Sequence, residues 1–133
     1  MKLTSNFSKS EFDSKDGAEM PDDVLENVKI VAEQLEVLRG VLNVPIKINS
    51  GYRSPAHNAS PKVKGVKNSK HLTGKAVDIV AKGITTNYLA YKINELIFKG
   101  KMLEGGIGIY DTFVHYDIYF DGKKKRRWDY RKK

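Results

Sequence analysis

At 133 residues, with 40% hydrophobic and 30% charged, the chain suits a single domain with its own core, and it has no apolar run long enough to cross a membrane. It has no cysteine, which excludes a disulfide framework and any thiolate metal site, so a transition metal would have to be held by nitrogen and oxygen. The net charge of +8 comes from 24 basic and 16 acidic residues, and residues 123–133 alone carry eight bases against one acid, leaving the remainder nearly neutral.

Residues 1–20 are polar, with Phe7 and Phe12 as apolar anchors, and read as an extended lead-in. The opening MKLTSNFSKSEF has no apolar stretch of the kind a secretory signal needs, so export through such a signal is not expected. From Pro21, the residues Val24, Val28, Val31, Leu35, Leu38 and Leu42 recur every three or four positions, which predicts a long amphipathic helix. Pro21 suits its first turn, Asp22 and Asp23 suit the positive end of its dipole, and Gly40 suits its exit. After Pro45, IKINS alternates as a short strand that delivers SGYRSPAHN over residues 50–58. Residues 61–68 hold three lysines, with Gly65 breaking any helix, and predict an exposed loop.

The stretch SKHLTGKAVDIV over residues 69–80 places His71 and Asp78 seven positions apart, and its second half alternates toward a buried strand. Gly74 and Ala76 between them leave room for a metal and its substrate, and Gly74 frees the backbone to bend. Thr85 and Thr86 predict the cap of a second helix with Leu89, Ile93, Leu96 and Ile97 on one face, closed by Gly100. Residues 106–110 and 113–119 then read as two strands joined by a tight turn at Asp111 and Thr112. His115 lies in the second of these. Two imidazoles and one carboxylate make a tetrahedral zinc site with an open fourth position, which catalytic zinc requires. Strand alternation puts Asp117 on the face of His115, where it can orient a ligand or handle a proton. The element order predicts a small α+β domain, with helices on one face of a mostly antiparallel sheet and the site on the other.

The pattern S-x-H-x-x-G-x-A-x-D at Ser69, His71, Gly74, Ala76 and Asp78 resembles the zinc site of the D-alanyl-D-alanine carboxypeptidase family, which shares a core with the hedgehog signalling domain. SGYRSPAHN, GGIGIY, FVHYDI and RRW resemble the same family in the same order, so the likeness runs from about Ile46 to Trp128. It implies a zinc peptidase acting on the peptide stems of bacterial peptidoglycan, as a D-Ala-D-Ala carboxypeptidase or an endopeptidase of endolysin type. Zinc would polarise the scissile carbonyl and lower the pKa of water to roughly 7.

Arg53 offers a planar fork for a substrate carboxylate, as the family's matching arginine does; the alternative is an arginine bonded to its own loop. Ser69 resembles a serine that bonds substrate, and can equally cap the bend before His71. His57 is either a further polar contact or a loop histidine satisfied by backbone. Several members supply their acid or base three residues before the last histidine. Thr112 stands there in this chain, and Asp111, one residue away, reads as a catalytic carboxylate or as a turn residue. Gly105 and Gly106 fit a tight turn into the strand, with no ligand needed to explain them.

The implied organisation is a lead-in (1–20), a zinc peptidase domain (21–128) and a basic tail (129–133). The tail suits an anionic wall polymer, and nucleic acid is disfavoured as a partner because Trp128 and Tyr130 read as docking the tail on the body. The chain is then made in the cytoplasm and acts at the bacterial cell wall, by phage-assisted lysis, in a virion or through a dedicated secretion machine. No sequence feature specifies an oligomeric state. The competing reading is a catalytically silent wall-binding or phage structural domain of the same fold, which the threonine at 112 keeps open.

Overall fold

The computed structural model describes residues 1–132. Helix α1 spans Asp22–Leu42 and buries Val24, Val28, Val31, Ala32, Leu35 and Leu38, the stripe that the spacing predicts plus one alanine. Asp22 and Asp23 lie in its first turn. Pro21 is the cap rather than a helical residue, because its ψ of 154° is extended. The exit differs from expectation. Gly40 lies inside the helix, which stops only at Asn43, whose left-handed backbone (φ 55°, ψ 36°) turns its N–H back to Arg39 O at 2.8 Å.

The main sheet has five strands: β3 (Ile46–Ser50), β4 (Ala76–Ala81), β5 (Ile107–Ile109), β6 (Val114–Asp117) and β7 (Arg127–Asp129), after a separate hairpin of β1 (Lys2–Thr4) and β2 (Phe7–Ser8). Their order is β3-β4-β6-β5-β7, antiparallel throughout except for the parallel β5–β7 pair. This is the expected α+β architecture. Register matters most for β4 and β6, where Asp78 stands opposite His115 and Ala76 opposite Asp117. Because side chains alternate, Val77, Ile79, Val114 and Tyr116, all 0% exposed, enter the apolar core. There they join the α1 stripe and Leu89, Ile93 and Leu96 of α3 (Thr86–Phe98). Asp78, His115 and Asp117 therefore project from the opposite face. Thr85 caps α3, accepting from Tyr88 N at 3.1 Å.

Both chain ends are more ordered than the sequence suggests. The expected lead-in is the β1–β2 hairpin followed by a 3-10 turn at Lys9–Phe12, and Phe7 and Phe12, each 1% exposed, meet edge to face within the main core. Thr4 and Asn6 bond Glu36 of α1, and Tyr52 N donates to Phe12 O at 2.7 Å, so this segment also braces the loop after β3. At the other end, β7 lies within the basic run of residues 123–133, and Tyr130 N extends its pairing to Ile109 O. Lys133, the last residue of the expected tail, lies outside the described residues. No described helix is long and apolar enough to cross a membrane.

Candidate metal centre

His71 sits in a 3-10 turn at Lys70–Thr73, where the Ser69 hydroxyl accepts from His71 N at 3.2 Å. The turn ends at Gly74 with φ +74°, and a Cβ there would fall 2.7 to 2.9 Å from atoms of Val24 and Val28. The glycine thus lets the bend press against α1, rather than leaving space for a metal as its position in the motif suggests. His71 is 2% exposed, and its Nδ1 lies 2.7 Å from Gly51 O. A carbonyl only accepts, so Nδ1 carries the proton and the Nε2 lone pair faces Asp78 Oδ1, 3.3 Å away.

His115 is arranged in mirror fashion. Its Nε2 meets Asp117 Oδ2 at 2.8 Å, and its Nδ1 faces the same Asp78 oxygen at 3.2 Å. Ligand atoms of His71, Asp78 and His115 all lie within 4.8 Å of one another. Two neutral imidazoles would aim two lone pairs at one anionic oxygen, an arrangement that is stable only with a cation among them. Without a metal, a proton has to serve. Burial lowers the His115 pKa, yet bonds to Asp117 and Asp78 outweigh it and hold the ring above its usual value. Burial likewise opposes the Asp78 anion, but bonds from His115 and His71 keep it well below the usual carboxylate range. The donor set, two nitrogens and one oxygen with both outer nitrogens already engaged, fits a zinc-type ion.

Asp117 is 0% exposed and stands behind His115 rather than on the cleft. Its Oδ1 accepts from Gly106 N (2.9 Å), Tyr119 N (3.1 Å) and Arg126 Nη1 (2.8 Å), and its Oδ2 from Arg126 Nη2 (3.2 Å) besides His115. Burial raises its pKa, but these donors prevail and keep it ionised. Gly106 has a chemical reason that the sequence reading lacks: a Cβ there would lie 2.6 Å from Asp117 Oδ2 and 3.0 Å from Arg126 Nη1.

Above these residues lies a cleft of about 780 Å³, and Arg53 and Ser69 line it. Arg53 donates through Nε to Ser50 Oγ, through Nη1 to Asn58 Oδ1 and through Nη2 to Asp78 Oδ2. Three of its five N–H groups are engaged, and one remains on each terminal nitrogen. Asn58, buried at 4%, also donates to Val66 O, which ties the 60s loop to the arginine; the sequence reading gave it no role.

His57 and Asp111 do not border the cleft. The His57 backbone N–H bonds the capping Ser54, and the exposed Asp111 carboxylate accepts from Lys132 N at 3.0 Å. Thr112 is exposed and also lies off the cleft.

The sequence reading missed much of the cleft wall. Trp128 of β7 lies 5.1 Å from the His115 ring and donates to Tyr110 OH at 3.0 Å, while Tyr110 stacks on Phe113 at 4.4 Å. A Cβ on Gly108, the residue opposite His115, would collide with this indole. That glycine, together with the tryptophan of RRW, was the available signal. Among the described residues Asp78 is the one carboxylate that borders the cleft.

Residues 3–117 match the family Peptidase M15. No curated protein matches the chain.

Proposed function

We propose that this chain, which belongs to the peptidase M15 family of metallopeptidases, is a zinc peptidase of bacterial peptidoglycan stems, of the D-Ala-D-Ala carboxypeptidase type. His71 Nε2, Asp78 Oδ1 and His115 Nδ1 would hold the ion, and bound zinc supplies the Lewis acid for the scissile carbonyl. The observation that carries this reading is the convergence of two imidazole lone pairs and one carboxylate oxygen on a single point.

Each remaining residue has a task that its contacts support. The Gly51 carbonyl holds the His71 proton on Nδ1, and Asp117, locked by Arg126, holds the His115 proton on Nε2; both inner nitrogens therefore stay unprotonated toward the metal. Asp117 is accordingly a positioning residue. The two remaining N–H groups of Arg53 grip the terminal carboxylate of the peptide end-on, which favours carboxypeptidase over endopeptidase action. Ser69 holds the turn that presents His71. The aromatic wall keeps water from the bound peptide, and the basic residues near the C-terminus contact anionic wall polymer.

One observation favours a second reading, a wall-binding domain that holds zinc without turnover: among the described residues the cleft has no carboxylate beyond Asp78 to take a proton from water. Incubating the protein with a stem pentapeptide ending in D-Ala-D-Ala, with zinc or with chelator, separates the two. Mass spectrometry should find zinc-dependent release of D-alanine. Stoichiometric zinc with an uncut peptide would shift the assignment to the wall-binding domain, and failure to bind zinc would overturn both.

A further inference from the structure

The charged groups on the cleft wall are unbalanced. Arg53 is paired with Asp78, and Arg126 with Asp117. Lys64 and Lys70 also line the cleft, and neither has a carboxylate within 4.0 Å among the described residues. The imbalance is sharpest at Tyr119. Lys70 Nζ lies 4.0 Å from the centre of that ring, Lys75 Nζ 5.9 Å and Arg126 Cζ 5.6 Å, so three cations gather on one phenol. The face of a phenol attracts cations but carries no net charge, so the positive charge gathered there is not neutralised by the ring. Asp117, which pairs with Arg126, is wholly buried and already accepts five hydrogen bonds, so it cannot turn toward Lys70 or Lys75. A divalent ion on the floor would make the region still more positive.

We infer that the substrate peptide carries a second carboxylate, besides the terminal one at Arg53, and that this group seats against Lys70 at the Tyr119 corner. Lys70 directly precedes His71 in the chain, so the corner is rigidly tied to the metal-facing turn. Arg53 takes the terminal carboxylate, so the second belongs to a side chain or branch of the peptide rather than to its cut end. The inference rests on the peptidase reading only for the substrate being a peptide; the unbalanced corner exists without it.

The test uses the zinc-loaded full chain and two pentapeptides, L-Ala-γ-D-Glu-L-Lys-D-Ala-D-Ala with the glutamyl α-carboxyl free or as its amide. The free acid should be preferred by about tenfold in kcat/KM, the size of one charge-assisted contact, with most of the difference in KM. Lys70→Met should remove that preference. Lys67→Met, which removes the same charge from the same loop off the cleft, should leave it intact; equal effects of the two variants would mean long-range steering and overturn the seat. Equal rates for the two peptides would overturn it too. Calorimetric binding of the corresponding tetrapeptides, acid against amide, is read alongside at about 50 and about 300 mM salt, with the acid's advantage expected to shrink at the higher. If neither pentapeptide is cut, the peptidase reading fails, and the calorimetry alone decides the corner.

Discussion

The floor of the cleft and its mouth are built in opposite ways. On the floor, His71, Asp78, His115 and Asp117 are 2%, 7%, 9% and 0% exposed, and no buried side-chain nitrogen or oxygen among the described residues lacks a partner. Each polar atom is held by strand register, by a backbone group or by a charged side chain beside it, so its direction follows from the fold. The mouth draws on the 60s loop, the turn at Lys70 and the segment from Tyr119 to Tyr130, and its lysines, Lys64 and Lys70, have no carboxylate partners among the described residues. A saturated floor can do one kind of chemistry, whereas an unsaturated mouth can be altered without disturbing it. The reaction class is therefore encoded below and the choice of peptide above.

The sharpest way to break this division is to remove a floor imidazole. His71→Ala or His115→Ala should weaken zinc binding on the order of a thousandfold, since one of three protein ligands is lost, and reduce hydrolysis to background. Competition against a chromophoric chelator measures the first and D-alanine release the second. Lysine substitutions at the mouth should leave the chelator titration unchanged. A His71→Ala protein with normal turnover would remove the floor from the chemistry altogether.

Asp117→Asn comes next and distinguishes orienting from proton transfer. The asparagine amide can donate to His115 Nε2, which would push the ring proton to Nδ1, the nitrogen that faces Asp78, and it leaves Arg126 without its ion pair. Zinc affinity and turnover should fall together, by about 10- to 100-fold. A large loss of turnover at unchanged zinc affinity would instead make Asp117 the base.

The floor was legible in the sequence because local rules govern it. Period-two alternation puts His115 and Asp117 on one face, and the turn before β4 brings His71 to Asp78. What stayed hidden depends on contacts distant in sequence. β7 is three residues within a run of like charge, and only its pairing with β5 makes it a strand. Phe7 and Phe12 read as isolated anchors because nothing local reveals the core they enter. Gly40 and Asn43 were both plausible helix ends, and the left-handed backbone of Asn43 decided between them. The cations around Tyr119 come from two segments more than forty positions apart, beyond the reach of any spacing rule.

The smallest predicted effect lies at the joint between the two regions. Ser54 caps the short helix α2 (Pro55–Ala59) by accepting from His57 N at 3.1 Å, and its hydroxyl donates to Asp16 Oδ2 at 2.5 Å. Its own N–H donates to Ser14 Oγ at 3.1 Å, so the N-terminal segment clasps the loop that carries Arg53. Ser54→Ala should cost about 1 kcal/mol through the lost cap, and should raise KM about two- to threefold with kcat unchanged as Arg53 loosens. The clasp also has a pH signature. The Ser54 hydroxyl, followed by Ser14 and the Ala18 N–H, draws the Asp16 pKa from 3.8 down to about 2. A carboxylate with a depressed folded-state pKa stabilises above its ordinary value, and that contribution fades as the pH falls through the depressed one. The Tm gap between wild type and Ser54→Ala should therefore narrow between about pH 4 and pH 2. A gap that held constant across this window would reduce Ser54 to a helix cap and detach the N-terminal segment from the placement of Arg53.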